Sequence, residues 1–290
     1  MFRRIVKKSA RLARRWLGHD ARTDTFADAP SVYPWLNSLC EQFFREDPSR
    51  VRPGYLWGSL HGAHLAKTLG VPAISLVEFG VAGGNGLIAL EVIAERIEQT
   101  FGIKTSVYGF DTGEGLPETR DLRDCPNLFA RGGFPMAVND LKKRLRKAKL
   151  ILGAVEDTLP KFADEIRSCP VAFISFDLDY YSSTKAAMRL LELEVSMLLP
   201  RVHCYFDDIT GYTYCDYNGE RLAIAEFNEE HAQRKLSPIY GLRHYVPRRF
   251  ANNLWVEKYF MAHLFDHDLY GRHDGLVRHH RMNLAKDSRS

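Results

Sequence analysis

Several features are missing from this sequence, and each absence removes a class of protein. No apolar run approaches the roughly 20 residues that span a bilayer, so the 290-residue chain does not read as an integral membrane protein. Five cysteines, Cys40, Cys125, Cys169, Cys204 and Cys215, form neither a CxxC pair nor an even framework. That excludes a disulfide scaffold, argues against structural zinc, and points to reduced thiols in a cytoplasmic protein. No acid occurs before Asp20, although Arg3, Arg4, Lys7, Lys8, Arg11, Arg14 and Arg15 crowd that stretch. With a formal net charge of only +4, the rest of the chain is slightly acidic, which excludes a body built as a general nucleic-acid surface. No internal repeat or low-complexity linker is visible.

What is present suits a single α/β domain with appendages. Phe2, Ile5, Val6, Leu12, Ala13, Trp16 and Leu17 lie at roughly helical spacing among the seven cations. Residues 1–20 are therefore read as a basic amphipathic arm, open to two readings: a frayed helix, or peripheral contact of residues 1–17 with the inner face of an anionic membrane. Residues 21–70 carry Trp35, Leu36, Leu39, Phe43, Phe44, Leu60 and Leu65 and are expected to form a helical cover. Residues 71–265 alternate short apolar runs with amphipathic stretches, the pattern of a mostly parallel sheet flanked by helices. The expected strands are Ile74 to Phe79, Ser106 to Phe110, Leu150 to Leu152, Val171 to Phe176 and His203 to Phe206. Two further apolar runs, Ile239 to Tyr245 and Leu254 to Phe260, are expected as a closing antiparallel pair. Residues 266–290 read as a basic tail.

Each expected strand is followed by glycine or an acid, and open parallel sheets bind ligands beyond the carboxyl ends of their strands. The first such turn reads Glu-x-Gly-x-x-x-Gly-x-Gly, with Glu78, Gly80, Gly84 and Gly86. Glycines there let backbone approach a nucleotide-like cofactor. A glycine turn alone would also suit a structural turn or a nicotinamide dinucleotide. Glu78 inside the strand favours a cofactor carrying an amino group over a phosphate. Asp111, after the next strand, can accept hydrogen bonds from ribose hydroxyls of either cofactor. A Walker lysine does not follow Gly86, which excludes nucleoside triphosphate hydrolysis of that kind.

Four further segments carry a resemblance. They are Tyr108-Gly109-Phe110-Asp111-Thr112-Gly113-Glu114-Gly115-Leu116-Pro117-Glu118, Asp157-Thr158-Leu159-Pro160, Phe176-Asp177-Leu178-Asp179-Tyr180-Tyr181-Ser182-Ser183-Thr184, and Phe206-Asp207-Asp208. In this order, from about Val77 to Phe227, the chain resembles the class I methyltransferases, and more narrowly the macrocin O-methyltransferase family that modifies antibiotic sugars. The resemblance implies a Rossmann-like, mostly parallel seven-stranded sheet, which the helical reading of residues 21–70 precedes as an N-terminal helical extension. It implies S-adenosyl-L-methionine at Glu78, Gly80 and Asp111, to which the glycine spacing adds Gly84 and Gly86; it also implies a metal at Asp177, Asp207 and Asp208, and Asp179 as general base. Gly113 departs from the family, which has an aromatic residue there. Leu178 replaces a small residue between two acids. Substrate identity is not carried over.

The acids also have a reading of their own. Asp177 and Asp179 are two apart at a strand end and so share a face if the strand continues. Like charges that close need a cation, and three carboxylates plus waters give the oxygen-rich shell that Mg2+ or Mn2+ favours. Taken singly, each acid reads first as structural, capping a helix or pairing with a cation such as Lys185 or Arg201; it is their grouping at neighbouring strand ends that favours the metal. The segment from Thr112 to Asn139, rich in glycine and proline, reads as a lid or as an exposed insertion. Tyr180, Tyr181, Tyr212, Tyr214 and Tyr217 are candidates to line a pocket.

The expectation is a metal-assisted O-methyltransferase acting on a hydroxyl of a small polyhydroxylated molecule or glycan. The alternatives are a metal-independent methyltransferase and a cofactor-binding adaptor without catalysis. Self-association into a homo-oligomer is left open by the sequence.

Overall fold

A computed structural model describes residues 34–119 and 121–272. The basic arm, with its membrane reading, residues 21–33 of the expected helical cover, and most of the tail lie outside these residues. Two helices come first, α1 (Pro34–Glu46) and α2 (Pro53–Leu69). The rest alternates: β1 (Ala73–Phe79), α3 (Asn85–Phe101), β2 (Lys104–Asp111), α4 (Val138–Arg144), β3 (Lys149–Leu152), α5 (Val155–Ile166), β4 (Val171–Phe176), α6 (Tyr181–Met188), β5 (Leu198–Phe206), α7 (Gly219–Glu230), β6 (Arg234–Pro238) and β7 (Tyr259–Leu264). The strands form one seven-stranded sheet in the order β3-β2-β1-β4-β5-β7-β6. β1 to β5 pair in parallel, whereas β7 runs antiparallel to both β5 and β6. Among the described residues no helix is long and apolar enough to cross a membrane.

The five parallel strands fall where their apolar runs predict: β4 matches its run, β1, β2 and β3 begin one or two residues earlier, and β5 begins five residues earlier, at Leu198. The closing pair does not. Ile239 to Tyr245 is not a strand; it holds a 3-10 turn at Leu242–His244, and the edge strand is the polar segment Arg234–Pro238 just before it. An edge strand has one paired side and little to bury, and only Leu236 in β6 is buried, so periodicity does not reveal it. Leu254 to Phe260 likewise opens as a 3-10 turn, and the strand runs on to Leu264.

Register then sets the site. Phe79 pairs with Phe110 and Phe176, and Phe176 pairs with Phe206. Their rings stack across the sheet at centroid distances of 4.8, 5.7 and 4.5 Å for Phe79–Phe110, Phe79–Phe176 and Phe176–Phe206. This row is buried in the half of the core beneath α5, α6 and α7. Because side chains alternate along a strand, the next residues leave that face together. They are Gly80, Asp111, Asp177 and Asp207, all at one edge of the sheet.

The opposite face is covered by α2 and α3. Proline at its first turn and Gly70 in the left-handed region at its end delimit α2. Gly58 and Gly62 on α2 make close approach possible. A Cβ on Gly58 would lie 1.7 Å from the Tyr259 hydroxyl, and one on Gly62 would lie 2.9 Å from the Ala172 carbonyl. The helix is consequently seated directly on β4 and β7, and Tyr259 donates to the Gly54 carbonyl at 3.0 Å.

Candidate active site

A cavity of about 770 Å³ opens at the carboxyl edge of the sheet, where the glycine loop meets the acids. Gly80 has φ of +83°, and a Cβ there would sit 1.7 Å from the Asp177 carbonyl oxygen. The loop is thus pressed against the start of the acid cluster, a contact that only glycine permits. Gly84 takes φ of +80° just before α3. Gly86 leaves room for Glu78, whose Oε1 would lie 1.7 Å from an added Cβ.

Asp111 does a job the sequence does not show. Its Oδ2 accepts from the backbone N–H groups of Val81 and Ala82, each at 2.9 Å, and its Oδ1 accepts from Gly113 N–H at 2.7 Å. A carboxylate offers about four acceptor directions, so three are already used to shape the loops and about one remains for another donor. Asp111 lines the cavity, but first as a staple of its walls.

Glu78 is buried at 1% exposure and also lines the cavity. Tyr55 donates its hydroxyl to Glu78 Oε1 at 2.9 Å and accepts from Ser175 Oγ at 2.6 Å and Arg52 Nη1 at 3.1 Å. The other oxygen, Oε2, is buried without a partner among the described residues. Burial pushes the Glu78 carboxyl up to about 8, with the Arg52 guanidinium pulling the other way. Arg52 stacks 5.1 Å above the Tyr55 ring and reaches Asp177 Oδ2 at 3.9 Å. Arg52 and Tyr55 lie at the start of α2, outside the segments that carry the resemblance, and no motif marks them in the sequence. The signal for them is weak: an arginine and a tyrosine bracketing a helix-opening proline.

The acids converge as expected. Asp177 follows β4, Asp207 and Asp208 follow β5, and Asp179 sits in the left-handed region with φ of +62°. Strand geometry therefore does not continue through Asp179. Its placement is fixed instead by its own N–H, which donates to Asp208 Oδ2 at 3.2 Å. Burial and the charges of Asp207 and Asp208 push the Asp177 carboxyl up to about 7. Burial followed by the same two neighbours pushes Asp179 up to about 7, and burial with Asp207 raises Asp208. Burial is the first cause of each of these shifts and the neighbouring carboxylates the next.

Glu220, from the first turn of α7, joins it unannounced. Fully buried, it accepts from Asp208 N–H through Oε2 at 2.9 Å, while its Oε1 has no partner among the described residues. Burial, then Asp208, raises this carboxyl well above the usual range. Tyr214 donates to Asp208 Oδ1 at 3.3 Å.

The cations are not those named from sequence. Lys185 pairs with Glu226 at 2.5 Å and Glu230 at 3.0 Å, and Arg201 lies over the Tyr270 ring at 5.4 Å. The cluster is met instead by Arg52 at Asp177 and by Lys258 at Asp207, the latter at 2.9 Å. All of the donors are carboxylate oxygens, which suits a hard divalent cation. As they stand, however, no three His, Cys, Asp or Glu groups among the described residues are set to hold a metal ion.

The segment after β2 is a fixed wall. Leu116 and Gly133 join its two limbs at 2.9 Å, and a 3-10 turn at Leu122–Asp124 folds back on α6. Asp124, 1% exposed, accepts from Thr119 Oγ1 at 2.6 Å, Ser182 N–H at 2.8 Å and Ser182 Oγ at 2.9 Å. Tyr180 is buried and donates to the Pro117 carbonyl at 3.2 Å. Leu116, Pro117, Phe129 and Phe134 line the cavity from this wall. Of the five tyrosines singled out, Tyr214 alone bonds to an acid of the cluster. Tyr181 donates to Glu226 at 2.6 Å, and Tyr212 and Tyr217 are exposed outside the cavity. His203 is a core residue, edge-on to Trp57 at 5.4 Å, and burial pushes it down to about 3.

No protein-family profile and no curated protein matches the chain. Among solved structures, the calicheamicin methyltransferase CalS11 is similar over 74% of this chain and 90% of its own, at 22% identity and a TM-score of 0.45. The O-methyltransferase NovP is similar over 60% of this chain and 72% of its own, at 20% identity and a TM-score of 0.45. The methyltransferase MycE, solved with Mg, SAH and mycinamycin VI, is similar over 79% of this chain and 54% of its own, at 13% identity and a TM-score of 0.37.

Proposed function

We propose that this chain is an S-adenosyl-L-methionine-dependent O-methyltransferase, assisted by Mg2+ or Mn2+, that methylates a hydroxyl of a small polyhydroxylated molecule or glycan. One juxtaposition carries this reading. A single cavity brings the loop from Gly80 to Gly86 and the orphaned Oε2 of Glu78 together with Asp177, Asp179, Asp207 and Asp208. One half of such a cavity suits a zwitterionic nucleoside, the other a cation and the oxygens it binds.

The residues divide the work accordingly. Glu78 Oε2 would accept from the ammonium of the cofactor, and Arg52 would attract its carboxylate. Asp111 would hold the loop and spend its remaining acceptor direction on a ribose hydroxyl. Asp177, Asp207 and Asp208 would hold the metal, whose contribution when bound is to lower the pKa of a coordinated acceptor hydroxyl. Asp179 would take the proton of that hydroxyl as the new carbon–oxygen bond forms. The wall of Leu116, Pro117, Phe129 and Phe134 would exclude water and hold the acceptor in line with the sulfonium methyl group.

A second reading, a methyltransferase without a metal, is favoured by one observation: Lys258 and Arg52 already supply positive charge to Asp207 and Asp177. The test is calorimetric binding of S-adenosylhomocysteine, with Mg2+ and then with chelator, followed by an acceptor screen under both conditions. Saturable binding weakened at least tenfold by Glu78→Gln supports the cofactor assignment, and turnover abolished by chelator supports the metal. Full turnover in chelator selects the second reading. No binding under either condition overturns both.

A further inference from the structure

Lys258 occupies an unusual position for a lysine. It stands at the mouth of β7, its side chain is 13% exposed, and its carbonyl accepts from Phe206 N–H at 3.0 Å. That backbone bond fixes the root of the side chain beside the end of β5, so the ammonium group has little choice but Asp207. Lys258 Nζ donates to Asp207 Oδ1 at 2.9 Å, and Tyr205 Oη donates to the same oxygen at 2.8 Å. A carboxylate oxygen has two lone-pair directions, and here both are filled. Asp207 can offer a metal only Oδ2 unless Lys258 moves.

We propose that Lys258 is the resident counter-ion of the acid cluster and that it holds down the affinity of Asp177, Asp207 and Asp208 for a divalent cation. The inference rests on the metal-assisted reading above. Two consequences of the ammonium act in the same direction. It denies the ion a bidentate grip on Asp207, and it places a positive charge one hydrogen bond from a ligand of the ion, inside a partly buried site where such charges are poorly screened. In return it lets the carboxylates stay close together when no metal is bound. Arg52 does not take over this task, since it approaches Asp177 and only to 3.9 Å.

The experiment is a Mn2+ titration of the full chain, saturated with S-adenosylhomocysteine, in which free Mn2+ is read by electron paramagnetic resonance. Lys258→Met removes the charge and keeps the length of the side chain; it is expected to tighten Mn2+ binding tenfold or more. Lys258→Arg keeps the charge and should stay within about threefold of the wild type. Lys258→Gln keeps a donor without the charge, so it should also tighten binding and guards against a folding defect in the methionine variant. Binding that is unchanged or weaker in both uncharged variants overturns the proposal, as does a failure of both to take up Mn2+. Calorimetry of S-adenosylhomocysteine on the same samples is scored separately. Cofactor binding without the Mn2+ response sinks the role of Lys258 alone, whereas loss of cofactor binding in the wild type sinks the functional reading.

Discussion

Glu78 shows how one buried carboxyl can set a pH response. Its folded value of about 8 lies above its ordinary 4.5, so its contribution to the fold is fully present below about 4.5 and is withdrawn as pH rises through about 8. A cation beside Oε2 reverses that preference, because it favours the ionised form. Affinity for S-adenosylhomocysteine should therefore rise between pH 6 and pH 8, and Glu78→Gln should flatten the profile; a calorimetric series that is flat in the wild type would refute the contact. Gly80 offers a test of geometry. Gly80→Ala meets both a positive φ and the Asp177 carbonyl, and is expected to cost on the order of 3 kcal/mol in denaturant unfolding. Gly83→Ala, three residues on, meets nothing within 4 Å and should change stability by less than about 0.5 kcal/mol. The four acids were legible because each follows an apolar strand. Arg52, Tyr55, Glu220 and Lys258 were not, because they reach the site through tertiary packing, and a lone charged residue in an otherwise ordinary segment carries no period.

At the scale of elements, the parallel strands announced themselves through buried apolar runs ending in phenylalanine, and the register that aligns Phe79, Phe110, Phe176 and Phe206 makes one edge of the sheet acidic. The edge strand β6 carried no such signal. Nor did the wall between β2 and α4, since its fixity depends on side chains that reach another element. Asp124 is the main tie: it joins Thr119 in the wall to Ser182 at the start of α6. Asp124→Ala leaves the Ser182 N–H and two hydroxyls without that partner and should destabilise the fold by about 2–4 kcal/mol. The same variant should admit protease cleavage within residues 112–137 under native conditions, where the wild type resists. Equal resistance in both proteins would mean that the wall is held by Tyr180 and its own backbone bonds instead.

Across the whole molecule, the N-terminal helices belong to the core even though no sequence resemblance reached them. α2 packs against β1, β4, β5 and α3, and α1 packs on α2. Leu36, Leu56, Leu60, Ala63 and Ala66 are each buried to within 1% exposure in the same cluster as Leu76, Phe173 and Tyr259. Burying one leucine contributes about 1.5–3 kcal/mol, so losing the three leucines alone removes several kcal/mol from a domain whose net stability is typically about 5–15 kcal/mol. The loss also strips Glu78 of Tyr55 and the cavity of Arg52, which couples the fold to the site. A chain beginning at Pro72 is therefore expected to show no cooperative thermal transition, to bind a hydrophobic dye, and to fail to bind S-adenosylhomocysteine, whereas one beginning at Pro34 should melt cooperatively. A sharp transition for the Pro72 chain within a few degrees of the full-length protein would show instead that α1 and α2 are a detachable cover, and that the sheet with α3 to α7 is the independently stable unit.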